Sequence, residues 1–197
     1  MGYSGLGWGA LKAVQALRGK PRHSTHVTYE IVSEFADWAD DVWNQSKGHY
    51  ALTAVRDQHN LNVLYPATDH RFARLKVMRS GKVFGWAVLL NTQMCGHKHF
   101  GDMRVGTFVG SLSKPEDAPD VVACVRDYLE TNGADLIISS QGSRAWGRAL
   151  KDGGFLRGPS NFPFLASPNL ASRLEPFKSN AETFHLNRGD GDGPIHL

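Results

Sequence analysis

The stretch ADLIISSQGSRAWGRALKDGGF, residues 134–155, decides the fold. Its first half is a short apolar run, Leu136, Ile137 and Ile138, which reads as a fully buried strand. Hydroxyls and an amide follow at Ser139, Ser140 and Gln141, and then a helix begins near Arg144 and stops at Gly153-Gly154-Phe155. A strand that ends in polar side chains and turns at once into a helix is a common way to build a ligand site at the carboxyl end of a sheet. Those side chains also have a purely local use, as caps of the helix they precede. Arg144 and Arg148 lie at i and i+4 on one helical face, where they bind an anion or simply meet solvent.

Working outward, KPEDAPDVVACVRDYLETNG (114–133) has proline and acids at its start, an apolar stripe of Val121, Val122, Val125 and Leu129, and a closing Gly133, the pattern of a helix over 116–131. Before it, DMRVGTFVGSL (102–112) reads as a strand, so 104–110 and 135–139 become neighbouring parallel strands joined by a crossover helix. RFARLKVM and KVFGWAVLL flank RSGK, a hairpin turn in which Gly81 supplies positive φ. Further upstream VTYEIV is strand-like, and Phe35, Trp38, Ala39, Val42 and Trp43 follow helical spacing behind a candidate cap at Ser33. FPFLASP and TFHLNRGD read as two final strands. The whole is an α/β fold, a mixed central sheet flanked by helices. Residues 1–26 stand apart as a Gly-rich, partner-docking or loose arm with one short helix carrying Leu11, Val14 and Leu17, leaving 27–197 as the domain.

Composition narrows the function classes. The 197 residues are 41% hydrophobic and 21% charged, with a formal net charge of +3. These are globular values, and without a run of like charges nothing in them calls for nucleic acid. Cys95 and Cys124 make no disulfide framework, which suits a reducing cytoplasmic compartment. The opening twenty residues are too interrupted by polar positions for a membrane span.

With the elements in order, RLKVMRSGKVFGWAVL, the strand and helix of 102–133 and SRAWGRALKDGGF resemble the second half of a GNAT acyltransferase, including the Gly-Phe after its last helix. FADWADDVWNQSKGHYALTAVRDQHNLNVLYP and FHLNRGDGDG are similar to the GNAT-like domain that forms the carboxyl half of double-domain proteins found near bacterial polysaccharide genes. This resemblance implies an acyl-CoA or acetyl-CoA cosubstrate, no metal, and an amine acceptor, either a small molecule or sugar-linked. It implies a homodimer or a second GNAT-like domain as possible company. It places the cofactor along Phe108, Val109, Gly110, Ser111, Ser113 and Lys114 and at Ser139 and Ser140, and the acceptor near Arg56, Asp57, Asn60, Asn62, Gln141 and Arg144. Gly106 and Gly110 weaken strand pairing and admit either an opening or a plain bulge.

Two positions depart from the family pattern. The pyrophosphate loop of the family reads Q/R-x-x-G-x-G/A, whereas SLSKPEDAP has no such glycines and has two prolines that remove N–H donors. Where many members carry a tyrosine five residues before the Phe of Gly-Phe, Leu150 stands. No catalytic residue is assigned. The expectation is therefore an N-acyltransferase, and beside it a non-catalytic GNAT-fold module that binds a partner or supports another acyltransferase domain.

Three other groups compete. Cys95, His97 and His99 alternate in CGHKH with Asp102 nearby, a set of ligand types without a site's geometry. RGDGDG (188–193) resembles part of a calcium loop but lacks the bidentate Glu and reads as a turn. RDQHNLNVLYP carries more polarity than a core segment needs, either for substrate or because an Arg56–Asp57 pair fixes the loop.

Overall fold

The computed structural model describes residues 26–98, 100–158, 164–187 and 190. Its main sheet has five strands in the order β1 (Val27–Val32), β3 (Ala73–Arg79), β4 (Lys82–Gln93), β5 (Arg104–Ser113) and β6 (Leu136–Ser139). The three pairings from β1 to β5 are antiparallel and the β5–β6 pairing is parallel, as the helix-length connection requires. A second sheet consists of β2 (Leu52–Thr53) and β7 (Phe184–His185), paired in parallel. Helices α1 (Asp37–Ser46), α2 (Gln58–Leu64), α3 (Ala118–Thr131), α4 (Arg144–Asp152), α5 (Pro168–Arg173) and α6 (Phe177–Asn180) complete the described architecture.

Gly85 to Leu90 are buried without a break, so β4 is covered on both faces, and α1 and α3 both pack on β4 and β5. The apolar stripe of α3, Val121, Val122, Val125 and Leu129, is fully buried, and Gly106 seats it: a Cβ on Gly106 would lie 3.0 Å from the Leu129 methyl groups. Gly106 therefore serves helix–sheet packing rather than an opening. The β3–β4 turn has φ of 49° at Ser80 and 77° at Gly81, the left-handed pair that a two-residue hairpin needs.

Three expectations change. Helix α1 begins at Asp37 with Ala36 as its N-cap, so Ser33 caps nothing there. Leu136 is 38% exposed because β6 ends the sheet instead of lying inside it. The carboxyl segment yields one two-residue strand, β7, outside the main sheet, while Phe164 to Ser167 are not a strand and Pro168 opens α5. The expected arm lies, but for His26, outside the described residues.

Candidate functional site

The sheet forks. β6 pairs with β5 only over Val105–Phe108 against Leu136–Ser139, after which β6 ends and β5 runs on to Ser113. At the parting point Phe108 opposes Leu89 and Gly110 opposes Val88, leaving Val109 bulged out of the β4 register. A bulge bends its strand and frees main-chain groups from the ladder. The expected cofactor residues Phe108, Val109, Gly110, Ser111 and Ser113 line this second half of β5, all buried, and Lys114 follows as N-cap of a 3-10 turn (Pro115–Asp117) leading into α3. Ser139 closes β6, and Ser140 and Gln141 continue from it.

The chain's own side chains reach the forked edge of β5. Arg56, 2% exposed, donates from Nη1 to Ser111 O at 2.7 Å, and Tyr50 Oη donates to Ser113 O at 2.8 Å. Arg56 Nη2 also reaches His185 O at 3.3 Å and forms an ion pair with Asp190 at 2.7 Å, so the pair expected with Asp57 is made instead with a residue 134 positions away. Trp146 Nε1 donates to Tyr50 Oη at 3.1 Å, and the His185 ring stacks on Trp146 at 5.3 Å. Burial first, and the adjacent guanidinium second, hold His185 well below the ordinary histidine range, so it is neutral. Leu186 O then accepts from Gly142 N at 2.8 Å, and Asn187 forms a bridge with Gln141. Residues 184–187 thus lie across the mouth of the fork.

The β6–α4 turn beside that segment carries several buried polar atoms without hydrogen-bond partners among the described residues, as do Ser46, Trp86, Asn91 and Thr107 elsewhere. Ser139 Oγ, Ser140 Oγ, both amide atoms of Gln141 and Ser143 Oγ are buried and have no hydrogen-bond partner among the described residues, and Ser111 Oγ shares that condition on β5. Ser143 is the N-cap of α4 but makes no side-chain cap bond, so local capping does not explain these hydroxyls. Native proteins rarely leave such groups without a protein, water or ligand partner.

The expected acceptor residues do not gather in one place. Asp57 caps α2, its Oδ1 accepting from Asn60 N at 2.8 Å and Asn60 Nδ2 at 2.7 Å, and these bonds lower its pKa. Asn62 clamps both main-chain groups of Phe35 at 2.9 Å. Asp57 and Asn62 nonetheless line an open groove of ≈ 660 Å³ between α1 and α2, with Asp40, Trp43, Asn44 and His59. Arg56 points to the fork instead, Gln141 lies at the fork, and exposed Arg144 pairs with Glu182. Local pattern concealed Tyr50, His185 and Asp190: only the approach of distant segments gives them a role.

At the amino end of α3, Arg79 binds Asp117 at 2.8 Å and Asp120 at 2.6 Å while lying 4.4 Å over the Phe84 ring. Leu150 sits in the core. Among the described residues no group of three or more His, Cys, Asp or Glu could hold a metal ion, His99 being outside them, and no helix is long and apolar enough to cross a membrane.

The sequence matches no protein-family model and no curated protein. Among solved structures, the chain is similar to a GNAT family acetyltransferase of Staphylococcus aureus subsp. aureus USA300_TCH1516, with a TM-score of 0.50 and 8% identity over 72% of this chain and 100% of that one. A transcriptional regulator from Bacillus halodurans C-125 gives a TM-score of 0.50 and 14% identity over 72% and 100%. The chain therefore has a GNAT-like acyltransferase fold.

Proposed function

We propose that this chain is an N-acyltransferase of GNAT type, which moves an acyl group from acyl-CoA to an amine. The observation that supports it best is the fork itself: a bulge at Val109, a parallel neighbour that stops at Ser139, and uncommitted hydroxyl and amide groups beside it. In this reading Phe108, Val109 and Gly110 with Ser139 and Ser140 border the acyl-CoA arm, and Ser111, Ser113 and Lys114 lead toward its phosphates at the start of α3. The amine attacks the thioester carbonyl; the C–N bond forms, the C–S bond breaks, and the amine's proton ends on the departing thiolate. The groove with Asp40, Asp57 and Trp43 suits a cationic, hydroxylated acceptor, since carboxylates attract ammonium groups and an indole face packs on a sugar ring.

One observation favours the second reading, a non-catalytic module that supports a partner or another acyltransferase domain: Arg56 and Tyr50 already hold the carbonyls of Ser111 and Ser113, which an extended ligand arm would otherwise use. The two readings separate in a thiol-release assay with acetyl-CoA and a panel of small and sugar-linked amines. Amine-dependent release of free CoA supports transfer; acetyl-CoA binding without release for any amine supports the module.

A further inference from the structure

Helix α2 borders both the groove proposed for the acceptor and the bulge of β5. Asp57, Gln58 and Asn62 line the groove, while Tyr65, the C-cap of the helix, reaches the sheet. A Cβ on Gly110 would lie 2.8 Å from Tyr65 Oη and 3.6 Å from Asn187 Nδ2, so the phenol stands over the residue next to bulged Val109. Tyr65 is 4% exposed, its ring packs edge-on against Phe72 at 5.3 Å, and its carbonyl accepts from Nε of buried Arg74 at 3.1 Å. Ring and main chain are thus held in place, yet the hydroxyl makes no hydrogen bond with any described residue.

The other hydroxyls near the bulge are differently placed. Tyr50 Oη is used twice, donating to Ser113 O and accepting from Trp146 Nε1. Ser111 Oγ has no partner, but Ser111 follows Gly110 along the strand and so faces the other side of the sheet. Thr107 Oγ1, also without a partner, lies before the bulge, where β5 is still paired with Ile138. Burial pushes the Tyr65 phenol up to about 12, with Arg56 lowering and Asp190 raising it by less, so it stays protonated at neutral pH.

We propose that the Tyr65 hydroxyl is the proton relay of the transfer step, a catalytic residue that contacts the attacking amine and the departing sulfur. The proposal rests on the acyltransferase reading above and adds the group that carries the proton. As the amine's electron pair forms the C–N bond, its N–H proton passes to Tyr65 Oη. As the C–S bond breaks and its electron pair stays on sulfur, the Tyr65 O–H proton passes to that sulfur. The phenol is neutral before and after, so a hydroxyl too weakly acidic to ionise by itself suits the task.

The test compares the intact chain with Tyr65→Phe, which keeps the ring and removes only the hydroxyl. Turnover is measured with acetyl-CoA and the fastest amine of the panel above, acetyl-CoA binding by calorimetry, and stability by thermal melting. The variant is expected to lose about a hundredfold in kcat, to bind acetyl-CoA as the parent does, and to melt no lower, since no hydrogen bond is lost. A variant that turns over as fast as the parent overturns the relay and leaves the acyltransferase reading standing. A variant that melts lower or binds acetyl-CoA more weakly in step with its lost turnover also overturns it, because the hydroxyl then serves packing or binding. A parent that releases no CoA with any amine overturns the acyltransferase reading itself, and the relay falls with it.

Discussion

The guanidinium of Arg56 donates to the main-chain oxygen of Ser111 at 2.7 Å and holds Asp190 at 2.7 Å from the same buried position. One side chain thus ties the loop after β2 to the free half of β5 and to the carboxyl segment. Removing one partner of a buried ion pair leaves an uncompensated charge, which costs about 3–5 kcal/mol. Asp190→Asn and Arg56→Ala are both expected to lose about that much in urea unfolding. A loss under about 1 kcal/mol in either would show that the pair is solvated and is no clasp.

His185 makes stability depend on pH. Its folded pKa is depressed below the ordinary 6.5, by burial and then by Arg56, so below pH 6.5 the unfolded chain binds the proton that the folded chain refuses. Stability is complete above that pH and is lost as the pH falls. The melting temperature is expected to drop between pH 7 and pH 5, and His185→Gln is expected to flatten that drop. An unchanged slope in the variant would place the titrating group elsewhere.

Gly110 and Tyr65 share one space. A Cβ on Gly110 would lie 2.8 Å from the Tyr65 hydroxyl oxygen, closer than real contacts allow. Gly110→Ala is expected to cost about 1–3 kcal/mol through overpacking. Combining it with Tyr65→Phe, which removes the offending atom, is expected to recover most of that cost in a double-mutant cycle. Full additivity of the two changes would contradict the contact.

At the entrance to α3, phosphate binding meets opposing charges. Lys114 and the helix end attract anions, Glu116 repels them, and Arg79 is occupied by Asp117 and Asp120. Acetyl-CoA is therefore expected to bind weakly, at about tens of micromolar or roughly −6 kcal/mol, and more weakly as salt is added or with Lys114→Ala. Submicromolar, salt-insensitive binding would show that the loop recognises phosphate by means other than charge.

The sheet was legible from the sequence wherever a pattern was local. The Ser80–Gly81 turn, the Val121–Leu129 stripe and the helix-length gap between two apolar runs fix β3 to β6 and their directions. Burial of Leu136 was misjudged because an apolar run does not say whether its strand lies inside a sheet or at its edge. The site was less legible. Arg56 carried a visible excess of polarity, but its partners lie 55 and 134 residues on, and no periodicity encodes such distances. Ser139, Ser140 and Gln141 were visible as a polar strand end, whereas their lack of partners is a property of packing alone.

The most direct test of the fork as an acyl-CoA site is amide hydrogen exchange with and without saturating acetyl-CoA. The Gly142 amide, bonded to Leu186 O, and the segment 184–187 report closure of the fork, and β5 beyond Val109 reports its free edge. The expected result on ligand binding is faster exchange in 184–187 and at the Gly142 amide, which loses Leu186 O, with slower exchange in β5 beyond Val109. Unchanged exchange at both, with acetyl-CoA bound or protection confined to another face, would contradict the account.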